Sequence, residues 1–237
     1  YWRDWSSDVC SSDLKSFLSS LHFKDYIYYK GNDHYVCDEV VFVDIGLDDK
    51  RFYDCWSIYL PSTYSLKLIQ DHFQDLCIKD HYDVENVKQD TIIYISRDSN
   101  IRGIENEELF VDEVLHALFK DSSSPYRFMV FDSAYLESIQ GSLIEQMKLF
   151  HRAALVIAPH GAGLSNIVFC RKNTPIVEFV MKPNCNRCFE YIATKCELQY
   201  IPLSTITCYY HGNYKCNAVQ RKACYEALLE IKNKCCV

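Results

Sequence analysis

Glycine is scarce in this chain, seven residues in 237. Each one therefore carries information about where the backbone must turn sharply or come close to something else. Two of the seven stand two positions apart, at Gly161 and Gly163. Basic blocks are missing as well, and the formal net charge is −7 with a pI of about 5.6. That balance argues against non-specific nucleic-acid binding, which is driven by clustered Lys and Arg. There is no Asn-x-Ser/Thr acceptor, which opposes heavy N-glycosylation. No internal repeat, low-complexity tract or membrane-spanning apolar run is present. Three familiar loops are absent too. Without G-x-G-x-x-G there is no dinucleotide fingerprint, and without G-K-[ST] there is no P-loop. Without G-x-S-x-G, Ser165 is a poor hydrolase nucleophile.

What is present is apolar and rich in tyrosine: 49% hydrophobic residues and 18 Tyr. This length and composition suit one large or two modest domains. Residues 1–14 stand apart. RDWSSDVCSSDL, Arg3 to Leu14, resembles the translation of a sequencing-adapter tail, and 1–14 are set aside as a sequence artefact. On that expectation the natural amino terminus lies outside this chain, and the lack of a leader says nothing about location. Twelve cysteines remain without Cys10, eight of them between Cys185 and Cys236. Such density points to a secretory-pathway lumen with some disulfides, against the alternative of reduced, buried cytosolic thiols. Cys185-x-x-Cys188 has no matching second pair, so a zinc site and a bound metal are not expected.

The pattern divides the chain. Residues 15–90 alternate short apolar runs with polar punctuation, including a strand at Val40–Asp44 and a helix over about 62–73. Polar Asp80–Asp90 is the expected domain boundary. From Thr91 onward strands alternate with helices, which predicts a parallel α/β domain over 91–205. The strands fall at 91–96, 127–131, 154–158, 175–180 and 199–203. Helices follow Asn106, over 142–153, 164–169 and 186–197. A helical extension, 206–237, closes the chain.

In open α/β sheets a ligand lies beyond the carboxyl ends of the strands. Arg97, Asp132 and His160 stand just after three of the predicted strands. Arg97 and Arg102 suit a diphosphate, because guanidinium groups match phosphate oxygens bidentately and keep their charge; solvated loop arginines are the alternative. His160-Gly161-Ala162-Gly163 leads into Leu164–Phe169. It combines a strand, a small-residue turn and a helix start that presents backbone N–H groups to an anion. A plain packing turn would look the same. The imidazole could donate to a phosphate or a sugar hydroxyl. Glu178, an acid inside PIVEFV, needs a partner if buried and could accept from ribose hydroxyls. Glu145-Gln146 lies on the preceding helix as structural support or ligand contact.

Together these residues resemble a known family. IYISRDSNIRGIENEELFVDEV, SLIEQMKLFHRAALVIAPHGAGLSNIVF and TPIVEF are similar to the carboxy-terminal half of glycosyltransferase family 61. That family includes plant xylosyltransferases and arabinosyltransferases and animal O-linked N-acetylglucosaminyltransferases. Its Arg-x(4)-Arg-x-x-x-Asn element falls here on Arg97, Arg102 and Asn106, and its Glu-Gln helix on Glu145 and Gln146. The His-Gly-Ala-Gly-Leu-[Thr/Ser]-Asn loop falls on His160, Gly161, Ala162, Gly163, Leu164, Ser165 and Asn166, and the strand acid on Glu178. CNRCFEYIA resembles the cysteine–aromatic helix of eukaryotic members.

The resemblance implies a GT-B fold of two Rossmann-like domains, the amino-terminal one incomplete over 15–90. It implies an inverting, metal-independent transferase moving xylose or N-acetylglucosamine from a UDP-linked donor to a hydroxyl of a glycan or protein. No cofactor beyond the donor substrate is implied. The location implied is the Golgi or endoplasmic reticulum lumen, with membrane attachment only through a missing amino-terminal anchor. Where the family carries a YHHFxD-type segment, this chain has Phe52-Tyr53-Asp54-Cys55-Trp56. Asp54 is thus a candidate general base, as are His160, Asp44 and Asp132; a surface acid is the alternative for Asp54. A relative that keeps the donor loop but does not transfer sugar, and an inactive fragment, are the competing readings. An unrelated nucleotide-binding enzyme such as a dehydrogenase is a third.

Overall fold

A computed structural model of the chain describes residues 63–97, 102–121, 124–182, 186–209 and 212–235. The strand expected at 40–44, together with Asp44, Asp54 and Cys185, lies outside the described residues.

Five strands form one parallel sheet: β1 (Thr91–Ile95), β2 (Arg127–Phe131), β3 (Ala153–Pro159), β4 (Pro175–Lys182) and β5 (Gln199–Tyr209), in the order β2-β1-β3-β4-β5. α1 (Thr63–Lys79) precedes the sheet. α2 joins β1 to β2 and is composite: an α turn at Glu107–Phe110, a π segment at Val111–His116 and a closing α turn at Ala117–Phe119. α3 (Ser133–Ser138) and α4 (Leu143–His151) join β2 to β3. A 3-10 helix, Ala162–Phe169, joins β3 to β4. α5 (Cys188–Lys195) joins β4 to β5, and α6 (Ala218–Cys235) follows.

Both faces of the sheet are covered, which is why its strands read as unbroken apolar runs rather than alternating ones. Successive side chains of a strand point to opposite faces. Ile93 and Ile95 accordingly join one core with Met147, Phe150, Leu164 and Ile176, under α1, α4, the 3-10 helix and α5. Ile92 and Tyr94 join the other with Phe110, Leu115, Val177 and Leu228, under α2 and α6. The result is a three-layer, doubly wound α/β unit of Rossmann-like type.

Several expected boundaries moved. α1 runs to Lys79 and lays Leu66, Phe73 and Cys77 into the same core as β1 and β3. The polar stretch 80–90, the expected domain boundary, is tied to the sheet. Asp90 pairs with Arg152, Gln89 donates to Ala153 O (2.9 Å), and Arg171 donates to Val87 O (2.7 Å). These contacts anchor the segment to the amino-terminal ends of β1, β3 and β4. β5 continues six residues beyond Leu203 to Tyr209, so the expected break at 205/206 falls inside a strand. The eight cysteines among the described residues are free thiols, where some disulfides were expected. Most are buried in the two cores, at positions such as Cys77, Cys208 and Cys224.

Candidate active site at the strand-order reversal

From β1 the chain moves outward to β2 through α2 on one face. It returns through α3 and α4, with α4 on the other face, to β3 on the opposite side of β1. The carboxyl ends of β1 and β3 therefore mark the strand-order reversal, where doubly wound sheets hold their ligand crevice. Arg97 stands two residues past β1, and His160 one residue past β3.

The two loops touch. Arg97 Nη1 donates to the His160 carbonyl (3.3 Å). The side chain crosses directly over Gly161, where a Cβ would lie 2.0 Å from Nη1. At Gly163 a Cβ would lie 2.7 Å from Ile95 Cγ2. Both glycines are thus clearances, for Arg97 just past β1 and for Ile95 at its end, and neither carries a left-handed backbone; Gly161 has φ 174. Outward, the turn presents backbone: Ala162 is exposed and Gly163 half-buried. The first N–H groups of a helix have no partner inside it; of those in this turn, the Leu164 N–H donates to Gly161 O (3.0 Å). Asn166 Nδ2 donates back to Gly163 O (3.2 Å), and Leu164 is buried as the plug beneath the turn.

The imidazole of His160 points inward. The residue is 3% exposed, its ring lies 5.0 Å from that of Phe189, and Nδ1 bonds Glu178 Oε1. Glu178, 2% exposed, uses its other oxygen to accept from Tyr200 Oη (2.8 Å). A carboxylate can only accept, so Nδ1 carries the hydrogen. Burial and the Glu178 charge push the Tyr200 phenol far up, and push the Cys188 thiol up to about 12. The ribose acceptor and the sugar-hydroxyl donor read from the sequence are therefore committed to each other beneath the turn.

Above them sits Tyr214. Its hydroxyl accepts from His160 N–H (3.2 Å) and donates to Phe179 O (2.5 Å). Its backbone pairs with the loop after β1, through Tyr214 N to Gly103 O (2.8 Å) and Glu105 N to Tyr214 O (2.9 Å). Arg102 N donates to Gly212 O (3.0 Å), with Arg102 itself left-handed at φ 64. Cys208 registers both guanidinium charges: burial raises its thiol, while Tyr214, Arg102 and Arg97 pull it back. Through Tyr214 the Arg102 segment is tied to the turn that Arg97 crosses.

The remaining candidates have other partners. Asn106 is the residue before α2, but it is left-handed (φ 55), exposed and makes no side-chain cap bond. Glu107 accepts from Tyr94 (2.5 Å) and Ser96 (2.8 Å), pinning α2 to the end of β1. Asp132 caps α3, accepting from Tyr135 N (2.7 Å). Glu145 is exposed and pairs with Lys148, whereas Gln146 is buried. Among the described residues no group of three or more His, Cys, Asp or Glu side chains could hold a metal ion.

The family model for Glycosyltransferase 61 matches residues 59–177, half of the chain. The chain belongs to glycosyltransferase family 61. The matched stretch runs from just before α1 into β4, and includes Arg97, Arg102, Asn106 and the whole 160–166 turn. Family membership makes the protein a glycosyltransferase, a class that moves sugar from a donor to an acceptor. No curated protein matches the chain. Glu178, Tyr200, Cys208 and Tyr214 lie beyond the matched residues. Tyr200, Cys208 and Tyr214 carry no signal in the sequence: one tyrosine among 18 does not stand out, and Cys208 and Tyr214 fall within the expected extension 206–237.

Proposed function

We propose that the crevice between β1 and β3 binds the diphosphate of a UDP-linked sugar donor. The carrying observation is Arg97 crossing the turn at 160–163 and bonding the His160 carbonyl, with the Arg102 segment tied to the same turn through Tyr214. Two fixed positive charges and outward backbone N–H groups oppose the charge that develops as the nucleoside diphosphate departs. His160 and Glu178 act from below, holding the turn rather than touching the donor. An acceptor hydroxyl of a glycan or protein attacks the sugar C1 in line, inverting it without a metal, after a general base takes its proton. In a two-domain GT-B arrangement the unit described here is the donor side, and Asp54 belongs to the acceptor side. A Golgi or endoplasmic reticulum lumen fits this family's chemistry. Among the described residues no helix is long and apolar enough to cross a membrane.

UDP at a hundred times its Kd adds about 2.7 kcal/mol of stability, roughly 5–10 °C in melting temperature for a chain of this size. Arg97→Ala and Arg102→Ala remove that shift. Absence of any shift with every nucleoside diphosphate refutes the reading. A second reading is a donor-binding relative that does not transfer. It is favoured by the commitment of Asp132 and Glu178 to internal partners. Transfer or donor hydrolysis rejects it.

A further inference from the structure

We infer that Tyr214 is a positioning residue of this site, acting as the post to which both donor-side loops are tied; the inference rests on the diphosphate reading above. Four observations lead to it. Tyr214 is fully buried, and its hydroxyl holds the His160 N–H on one side and the Phe179 carbonyl on the other. Its backbone holds Gly103 O and Glu105 N, and with Gly212 O it secures the segment carrying Arg102. Arg102 and Asn106 are non-glycine residues in the left-handed region, at φ 64 and φ 55, a conformation that persists only where its surroundings over-determine it. Cys208, beside the Tyr214 hydroxyl, registers the charges of both arginines.

The consequence is geometric. The His160 N–H, first in line for an anion by sequence, is already taken. The anion-facing N–H groups are those further along the turn, and their aim depends on where His160 is held. The spacing between the turn and Arg102 is likewise set through one residue, by its hydroxyl to the turn and its backbone to the Arg102 segment, and that residue lies outside the matched family stretch. Small displacements matter here, since donors aimed at developing charge lose their effect with misplacement of an ångström.

Tyr214→Phe keeps the ring and removes the two hydroxyl bonds. Tyr82→Phe is the control. It removes a hydroxyl partly buried against His151 and Lys148 O at the opposite end of the sheet. Titration calorimetry with UDP is expected to show about tenfold weaker binding for Tyr214→Phe and wild-type binding for Tyr82→Phe. Amide exchange without ligand is expected to speed up together over 102–105 and 160–164 in Tyr214→Phe alone. Wild-type affinity in Tyr214→Phe, or unchanged protection of the two loops, overturns the inference. If wild-type protein binds no UDP, the diphosphate reading falls, and the exchange data still decide whether Tyr214 holds the loops. Should Tyr214→Phe not fold, exchange of the wild type under mild denaturant decides. The amides of Arg102, Glu105, His160 and Tyr214 are expected to open as one unit, and separate openings overturn the inference.

Discussion

Gly161→Ala isolates one contact of the site from the stability of the fold. The backbone at Gly161 is extended, so alanine adopts it without strain. The new methyl falls 2.0 Å from Arg97 Nη1 and 3.2 Å from Cζ, both at the far end of a flexible side chain. Arg97 must move and give up its bond to the His160 carbonyl. That bond is 3.3 Å long and part-buried, so its loss costs on the order of 1 kcal/mol. Melting should fall by only about 2–4 °C in a chain of this size. UDP binding should weaken roughly 10- to 100-fold, about 1.4–2.8 kcal/mol, because a charge-assisted phosphate contact is displaced. Gly163→Ala is the counter-experiment. Its methyl meets Ile95 Cγ2 at 2.7 Å, inside the core, and overpacking there costs about 1–3 kcal/mol of stability. Differential scanning calorimetry and titration calorimetry on both variants separate the two effects. Undiminished UDP affinity in Gly161→Ala would show that the arginine's crossing has no part in binding.

Three further outcomes follow from burial and charge. Burial, helped by the charge of Arg171, lowers His151 from 6.5 to about 4. The unfolded chain therefore takes up a proton between these values while the folded one does not, so stability falls as pH drops from 6.5 toward 4, by up to about 3 kcal/mol. His151→Phe should flatten that slope in denaturant melts; an unchanged slope removes His151 as the cause. Glu178→Leu strands the His160 Nδ1–H and the Tyr200 hydroxyl and should cost about 3–5 kcal/mol, while Glu178→Gln keeps an acceptor and costs less. Equal stability of the two variants in urea would contradict the buried triad. Burial pushes Cys77 and Cys196 up to about 11. Both should resist iodoacetamide at pH 8 in the native protein, with the half-buried Cys235 reacting ahead of them. Rapid native labelling of Cys77, read by peptide mass mapping, would contradict its burial.

Much of the architecture was legible because parallel strands buried on both faces leave continuous apolar runs, and helices leave spaced ones. TIIYI, RFMVF, AALVIAP and PIVEFVMK stand where they were expected. The misplacements share a cause. Asp80–Asp90 reads as a domain boundary because it is polar and charged, and only the partners Arg152, Arg171 and Ala153 O make it an anchor. β5 was cut short at Leu203 because Ser204, Thr205 and Thr207 interrupt its apolar pattern, whereas pairing beside β4 carries it on to Tyr209.

Local pattern by itself determined the strands, the turn at 160–163, the arginines and the family to which they belong. Those properties depend on neighbours in sequence or on spacing within one loop. Tertiary structure alone decided what each polar side chain is for. It turned His160 inward onto Glu178, made the two glycines clearances for Arg97 and Ile95, and brought Tyr214 from the far end of the chain to hold both loops. Partners separated by 18, 54 and 63 positions meet because five strands are ordered side by side, and no spacing rule encodes that meeting.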